Sequence, residues 1–384
     1  MWYNKISGGR DALLLFRGMI RNEPIIGAEE FKAVQDVLLS RELSMYRANK
    51  DWHLGGKYVQ SLESAFCDFF NVEYAVAMNS ATSCLHAACI ASGGKTGITS
   101  TLTFSASASC ILQAGMHLQL SDIDPDTYCM VLPECSSDVI IPVHLHGHPA
   151  DMDSILKHNK FVIEDASQAI MAKYKGEWVG TIGDCGVFSF NQWKQMSCGE
   201  GGMLITNNEE IARICRLVRN HGETQQDTIL GYNYRLTEIQ SAIALEQFKK
   251  LSAQINYRIE LADYLTDKLK EVKPPYVQEG CIHSYYTYPV RTENRAVLQS
   301  ALLEAGYYFG QGGQKPLHKY PFYSVKGKFP VAEDCERNVM FTDIIRTPAT
   351  FDDMDNIAEV IDICFGRDTH LKRKQSRRMD MSRK

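Results

Sequence analysis

Val187-Phe188-Ser189-Phe190-Asn191-Gln192-Trp193-Lys194 runs, after four residues, into Gly199-Glu200-Gly201-Gly202 and then Met203-Leu204-Ile205-Thr206. Val-Phe-Ser-Phe reads as the end of a buried strand, the glycines as a tight turn, and Met-Leu-Ile-Thr as a second strand. Between them stands a single lysine in an otherwise uncharged stretch. A lysine seen alone belongs by default to a surface loop. One held away from water loses basicity and can attack carbonyl carbon.

Upstream, Phe161-Val162-Ile163-Glu164-Asp165-Ala166-Ser167-Gln168-Ala169 ends an apolar run on carboxylates. A carboxylate at the end of a buried strand needs a cationic partner to stay ionised, and a protonated pyridine nitrogen would be one. The competing expectation is that Asp165 caps a helix. Tyr74-Ala75-Val76-Ala77-Met78 is another apolar run, followed by Asn79-Ser80-Ala81-Thr82-Ser83 and a helical pattern with Leu85, Ala88 and Cys89. Small hydroxyl residues at a helix start serve either as a plain cap or as an anion cradle. Downstream, Gly231-Tyr232-Asn233-Tyr234-Arg235-Leu236 leads into a helix expected from Leu236, with Thr237 and Gln240 as a capping box.

Strand-like runs at 74–78, 139–143 and 161–163 lack polar alternation, as expected of strands covered on both faces of a mostly parallel sheet. Helical spacing recurs at Phe31, Val34, Val37 and Leu38, and at Leu62, Ala65, Phe66 and Phe69. The expected architecture is α/β: a mostly parallel central sheet flanked by helices, with a smaller C-terminal α+β domain. The boundary is placed near the end of the helix from Leu236, around residue 250, giving 1–250 and 251–384. In the second part Tyr285-Tyr286-Thr287-Tyr288-Pro289-Val290 reads as a strand. In such sheets ligands bind at the C-terminal ends of strands, where the four segments above are expected to fall.

Composition agrees with a globular chain: of 384 residues 45% are hydrophobic and 23% charged. No apolar run reaches the ~20 residues of a membrane helix, and no signal peptide is expected. The twelve cysteines contain no Cys-x-x-Cys pair and read as free thiols in a reducing cytoplasm. Net charge is −5, yet residues 367–384 carry eight Lys or Arg against two Asp, so the body is acidic and nucleic acid is not expected as a partner. The basic tail reads as a solvated terminus.

Taken in order, these motifs resemble the DegT/DnrJ/EryC1/StrS family of sugar aminotransferases, from about residue 24 to residue 365. The family pattern matches Asn79–Ser83, Thr103-Phe104-Ser105-Ala106-Ser107, Val143–Asp153, Glu164–Ala169, Phe188–Gly202 and Gly231–Leu236. The resemblance implies the type I fold of pyridoxal-phosphate enzymes. It also implies roles: Lys194 carries pyridoxal 5'-phosphate and moves protons; Asp165 pairs with the ring nitrogen; Phe104 stacks on the ring; Gln168 bonds the ring hydroxyl; Ser80, Ala81, Thr82 and Ser189 hold the phosphate. Asn233 reaches the cofactor phosphate of a neighbouring subunit, which requires a homodimer with shared sites. The implied reaction is ping-pong. Glutamate or glutamine leaves its amine on the cofactor, giving the pyridoxamine form, and a nucleotide-linked keto-deoxy sugar accepts it.

Departures from the family pattern are Gly93–Ile98, where many relatives carry Gly-Asp-Glu-Val, Ala81 in place of a common glycine, and the tail. Related dehydratases carry histidine in place of the lysine, so Lys194 speaks against that chemistry. An aminotransferase acting on a cyclitol ketone stays open. A binding protein that merely kept the fold should have lost Lys194 or Asp165. His144, His146 and His148 alternate as if on one strand face, but no further ligand completes a metal site, and none is expected. The acceptor pocket is expected along Trp52–Lys57 and 314–318, with Lys57 and His318 as candidate substrate contacts.

Overall fold

A computed structural model describes residues 25–47, 53–132, 134–223, 228–311 and 315–366. Trp52, Gln314 and the basic tail lie outside them. Two helices, α1 (Ala28–Ser40) and α2 (Lys57–Phe70), precede the central sheet. The sheet is formed by β1 (Tyr74–Met78), β2 (Thr96–Ser100), β3 (His117–Ser121), β4 (Val139–Ile141), β5 (Phe161–Asp165), β8 (Cys185–Ser189) and β9 (Gly202–Thr206), in the order β1-β9-β8-β5-β4-β2-β3. Pairings from β8 through β3 are parallel, and β9 runs antiparallel between β1 and β8. Twelve residues with no helix among them join β8 to β9, and the chain returns antiparallel beside β8.

Helices cover both faces. Ala75, Ala77, Ile140, Val162, Phe188 and Met203 pack with α2 and with α7 (Glu238–Lys268), while Val76, Met78, Ile141, Ile163, Val187 and Leu204 pack with α3 (Ala81–Ser92), α4 (Ala106–Gln113) and α6 (Glu209–Arg219). Successive residues of one strand thus enter opposite cores, which is why these strands read as unbroken apolar runs. The short helix α5 (Met152–Leu156) links β4 to β5, and β6 (Lys173–Tyr174) and β7 (Glu177–Trp178) pair beside β10 (Cys281–Ile282).

The C-terminal part contains β11 (Tyr288–Arg291), α8 (Arg295–Glu304), β12 (Gly310–Gln311), α9 (Pro330–Asn338), β13 (Val339–Thr342) and α10 (Phe351–Cys364), with an antiparallel β11-β13-β12 sheet. Its core takes Leu261, Ala262 and Leu265 from α7.

Several expectations need correction. The helix expected from Leu236 begins at Glu238, with Thr237 as N-cap and the Thr237–Gln240 capping box formed. It does not end near residue 250 but runs on to Lys268, because its later turns supply core to the second sheet. On α1 the buried stripe is Glu30, Ala33 and Val37, whereas Phe31 and Leu38 are 73% and 55% exposed. Only β11 forms from the Tyr285–Val290 run: Tyr285 adopts a left-handed conformation (φ 47°), which breaks the strand before Tyr288.

Candidate active site

Asp165 is the last residue of β5 and caps no helix. It is 4% exposed. Its Oδ2 accepts from Ser107 Oγ at 2.7 Å and its Oδ1 from the Ser167 amide at 3.2 Å. No ion pair reaches it among the described residues. Strand alternation sends its neighbour Glu164 to the other face. There the carboxylate accepts from the amides of Gly180, Ile182 and Gly183 at 2.7–2.8 Å and meets His144 Nε2 at 3.0 Å. Because His144 Nδ1 accepts from the Ala150 amide at 2.9 Å, Nε2 is the nitrogen that donates. Of the adjacent carboxylates, Glu164 is therefore satisfied within the chain. Asp165 is left with neutral donors only, an arrangement that a cationic ring nitrogen would complete.

Lys194 lies in the closed loop between β8 and β9. Backbone bonds Phe190 N–Gly201 O, Gln192 N–Gly199 O and Cys198 N–Phe190 O, at 2.8–3.1 Å, tie this loop, and Gly199 turns with φ +87°. The ammonium sits 4.2 Å from the centroid of the Tyr286 ring and has no carboxylate ion pair among the described residues. Burial lowers its pKa to about 8, opposed by the charge of Asp165.

Ser80 caps α3, its Oγ accepting from the Ser83 amide at 3.1 Å. Ala81 and Thr82 are the first two helical residues, so their amides have no acceptor within the helix. Gly202, at the start of β9, passes beneath: a Cβ there would lie 2.5 Å from the Ala81 amide nitrogen, so only glycine permits the approach. Ser189 ends β8, with its Oγ accepting from the Asn191 amide at 3.3 Å. Hydroxyls and free helix amides form a cradle suited to a phosphate. Gln168 is oriented by its own chain, since its Oε1 accepts from the His146 amide at 2.9 Å and its amide nitrogen is left to donate. It lines a cavity with Thr103, His146, Tyr286, Thr287 and Phe341. Donors for a phosphate, a carboxylate lacking a cation, an oriented amide donor and a weakly basic lysine together fit pyridoxal phosphate.

The remaining candidates fall at the margin. Phe104 follows Thr103 and is 56% exposed within one chain. Asn233 docks on the loop before α3 by its backbone, its carbonyl accepting from Asn79 Nδ2 at 3.3 Å, while its side chain is exposed. Lys57, at the start of α2, points to solvent over Tyr58 and lines neither cavity described here. Both ring nitrogens of His318 are taken by the chain, Nδ1 by Thr101 Oγ1 at 2.8 Å and Nε2 by Glu333 at 3.2 Å. His318 thus ties its loop to the sheet.

The histidines of His144–His148 do not share a strand face. His144 and His148 flank a short 3-10 turn that contains His146 at φ 59°; His146 bonds Thr287 and His148 bonds the Pro149 carbonyl. Sequence reasoning gave no role to Ser107, Tyr286, Arg258 or Arg346. Ser107 lay in a quoted motif; the others come from the C-terminal part, where spacing carried no signal.

A model of the DegT/DnrJ/EryC1/StrS aminotransferase family matches residues 26–362. The chain belongs to that family. It is a pyridoxal-phosphate-dependent aminotransferase. A GDP-perosamine synthase of Caulobacter vibrioides is 36% identical over 62% of this chain and 69% of its own length. The spore coat polysaccharide biosynthesis protein SpsC of Bacillus subtilis is 30% identical over 90% and 97%. Among solved structures, Helicobacter pylori PseC, an aminotransferase involved in the biosynthesis of pseudoaminic acid, superposes with a TM-score of 0.80 at 25% identity, covering 90% of this chain and 99% of that one. The relatives of this aminotransferase thus include proteins of sugar and polysaccharide biosynthesis. All twelve of its cysteines are free, and no described helix is long and apolar enough to cross a membrane.

Proposed function

We propose that this aminotransferase moves an amino group from glutamate or glutamine to the keto carbon of a nucleotide-linked keto-deoxy sugar, in the cytoplasm, as a homodimer with shared sites. The observation that carries the chemistry is the pairing of a lysine with lowered pKa and a buried carboxylate lacking a cation at the C-terminal edge of one sheet. The sugar acceptor rests on what the relatives' names say of those proteins.

In this reading Ser80, Ala81, Thr82 and Ser189 hold the cofactor phosphate. Asp165 faces the ring nitrogen and keeps it protonated, with Ser107 fixing the carboxylate. Gln168 donates to the ring hydroxyl, and Phe104 covers a ring face. When bound, pyridoxal phosphate supplies an electron sink and carries the amine between substrates as its pyridoxamine form. Lys194 Nζ takes a proton from the donor α-carbon and returns one on the acceptor side.

Amino donors and acceptors test the reading directly. Glutamate or glutamine should discharge the cofactor absorbance, alanine and aspartate should not, and a nucleotide-linked 4-keto-6-deoxyhexose should then yield an amino sugar detectable by mass. Exchange between simple amino-acid and oxo-acid pairs with no response to keto sugars contradicts the acceptor. Turnover of an inosose alone would move it to the cyclitols.

Shared sites make a separate expectation. If Asn233 serves the neighbour's cofactor, each site takes Lys194 from one chain and Asn233 from the other, as in an isologous dimer. Mixing Lys194→Ala with Asn233→Ala chains then gives mixed dimers with one intact site, restoring about a quarter of wild-type activity for random exchange. No recovery, with subunit exchange confirmed, removes Asn233 from the neighbour's site.

A further inference from the structure

The cavity that Lys194 shares with Arg258 and Arg346 measures about 10 Å³, room for one water. The cavity beside Gln168 measures about 70 Å³, room for several such groups. Tyr286, whose ring centroid lies 4.2 Å from Lys194 Nζ, forms part of its wall. The larger space therefore adjoins the lysine without including it.

Its polar walls have a fixed hydrogen-bond sense. Ser107 Oγ gives its one proton to Asp165 Oδ2, so in the 3.2 Å contact between Thr103 Oγ1 and Ser107 Oγ it is Thr103 that donates. Thr103 Oγ1 keeps lone pairs for the cavity and has no proton left. Thr287 is buried, and among the described residues its hydroxyl meets only His146 Nδ1. A buried hydroxyl proton goes to that acceptor, which puts the ring proton of His146 on Nε2. Nε2 has no hydrogen-bond partner among the described residues. Burial lowers the His146 pKa to about 4, so the ring is neutral at pH 7.

Leu102, Leu145 and Phe341 supply the apolar walls. No ionised side chain lines the space, since burial pushes the Tyr286 hydroxyl up to about 12. A carboxylate or phosphate would lose its water there without gaining a cation. An apolar substituent would leave the Nε2 proton unpaired. A hydroxyl, which accepts from Nε2 and donates to Thr103 Oγ1, satisfies both.

We propose that this cavity is the subsite for one ring hydroxyl of the amino acceptor, read by His146 and Thr103, with Thr287 as the residue that positions the imidazole proton. The proposal rests on the sugar-acceptor reading above. It makes His146 a specificity residue, outside the machinery that moves the amine.

In the test, cofactor-loaded protein is titrated by calorimetry with GDP-, UDP- and dTDP-linked 4-amino-4,6-dideoxyhexoses. The tightest binder is then compared with its 2-deoxy and 3-deoxy analogues. One of the two deletions should cost wild type about tenfold in affinity, the scale of one hydrogen bond closed to water. His146→Phe keeps an aromatic ring against Tyr128 and Phe341. In it the hydroxylated ligand should weaken about tenfold, and the sensitive analogue should bind as it does to wild type. Thr103→Val should erase the preference likewise. Nitrogen NMR of isotope-labelled histidine gives a readout that packing alone does not move. The signal lost in His146→Phe should report a neutral ring protonated on Nε2 in wild type at pH 7, and mixed tautomers in Thr287→Val. Equal losses for hydroxylated and deoxy ligands in His146→Phe, no preference in wild type, or a proton on Nδ1 overturns the proposal. If His146→Phe does not fold, Thr103→Val must still erase the preference. Binding of none of the three sugars overturns the acceptor reading as well, whereas binding without coupling to His146 removes the subsite alone.

Discussion

Replacing Lys194 by alanine should lower turnover by about ten-thousand-fold, the upper end for loss of a proton-transferring group, because no other described side chain in its cavity combines an amine with a lowered pKa. Borohydride reduction of the loaded wild-type protein should fix the cofactor on Lys194, and peptide mapping that finds it elsewhere sinks the assignment. The pH dependence follows from the same environment. Only the neutral amine attacks a carbonyl, so capture of pyridoxal phosphate by the cofactor-free protein should rise with pH through about 8. An unperturbed lysine would give a rise near 10.4 instead. At pH 7 the neutral fraction would be roughly a tenth, a few hundred times that of an ordinary lysine. The sign for stability is the opposite of a salt-bridged lysine's. A folded pKa below the unfolded one means that the unfolded chain binds more protons between about 8 and the ordinary lysine value. The group therefore destabilises the cofactor-free fold below pH 8, and this burden is relieved as pH rises across that window. Thermal melts of wild type and Lys194→Met should converge there. A gap independent of pH would mean that Lys194 is not held out of water.

The second large effect is expected at Asp165. Asp165→Asn is nearly isosteric, and its side-chain oxygen can still accept from Ser107 Oγ. It removes the negative charge that would hold a proton on the ring nitrogen. Turnover should fall by about 100–1,000-fold, the range for losing one fixed electrostatic contact to the transition state. The proposed phosphate cradle of Ser80, Ala81, Thr82 and Ser189 is untouched, so cofactor affinity should change little. Near-normal turnover in this variant would show that Asp165 does not sustain the electron sink. Weakened cofactor binding with unchanged turnover of the loaded fraction would make it an anchor instead.

Much of this was legible in the residues. Runs such as Tyr74–Met78 and Phe161–Asp165 lack alternation because each strand feeds two cores, and that alone called for a sheet covered on both faces. Gly202, Thr237 and Ser80 are local necessities: one residue type meets one backbone or capping demand, and a local demand leaves a local signature. Motif order then singled out Lys194 and Asp165 as candidates.

What only the tertiary structure decided depends on residues distant in sequence meeting across elements. Helix α7 passes residue 250 unbroken because Leu261 and Leu265 have a second core to enter, which no periodicity announces. Phe31 and Leu38 have the spacing of a core face, yet the neighbouring α7 takes Ala33 and Val37 instead. Tyr285–Thr287 has strand composition, but its docking on Leu145–Gly147 turns the chain and brings Tyr286 over Lys194. The adjacent carboxylates Glu164 and Asp165 are alike in sequence, and only the partners on each face of β5 separate them: three backbone amides and His144 for one, two neutral donors for the other. Arg346 reads as one arginine among many. Its burial on a cavity shared with Lys194, with two nitrogens left unpartnered, is a property of the packed chain.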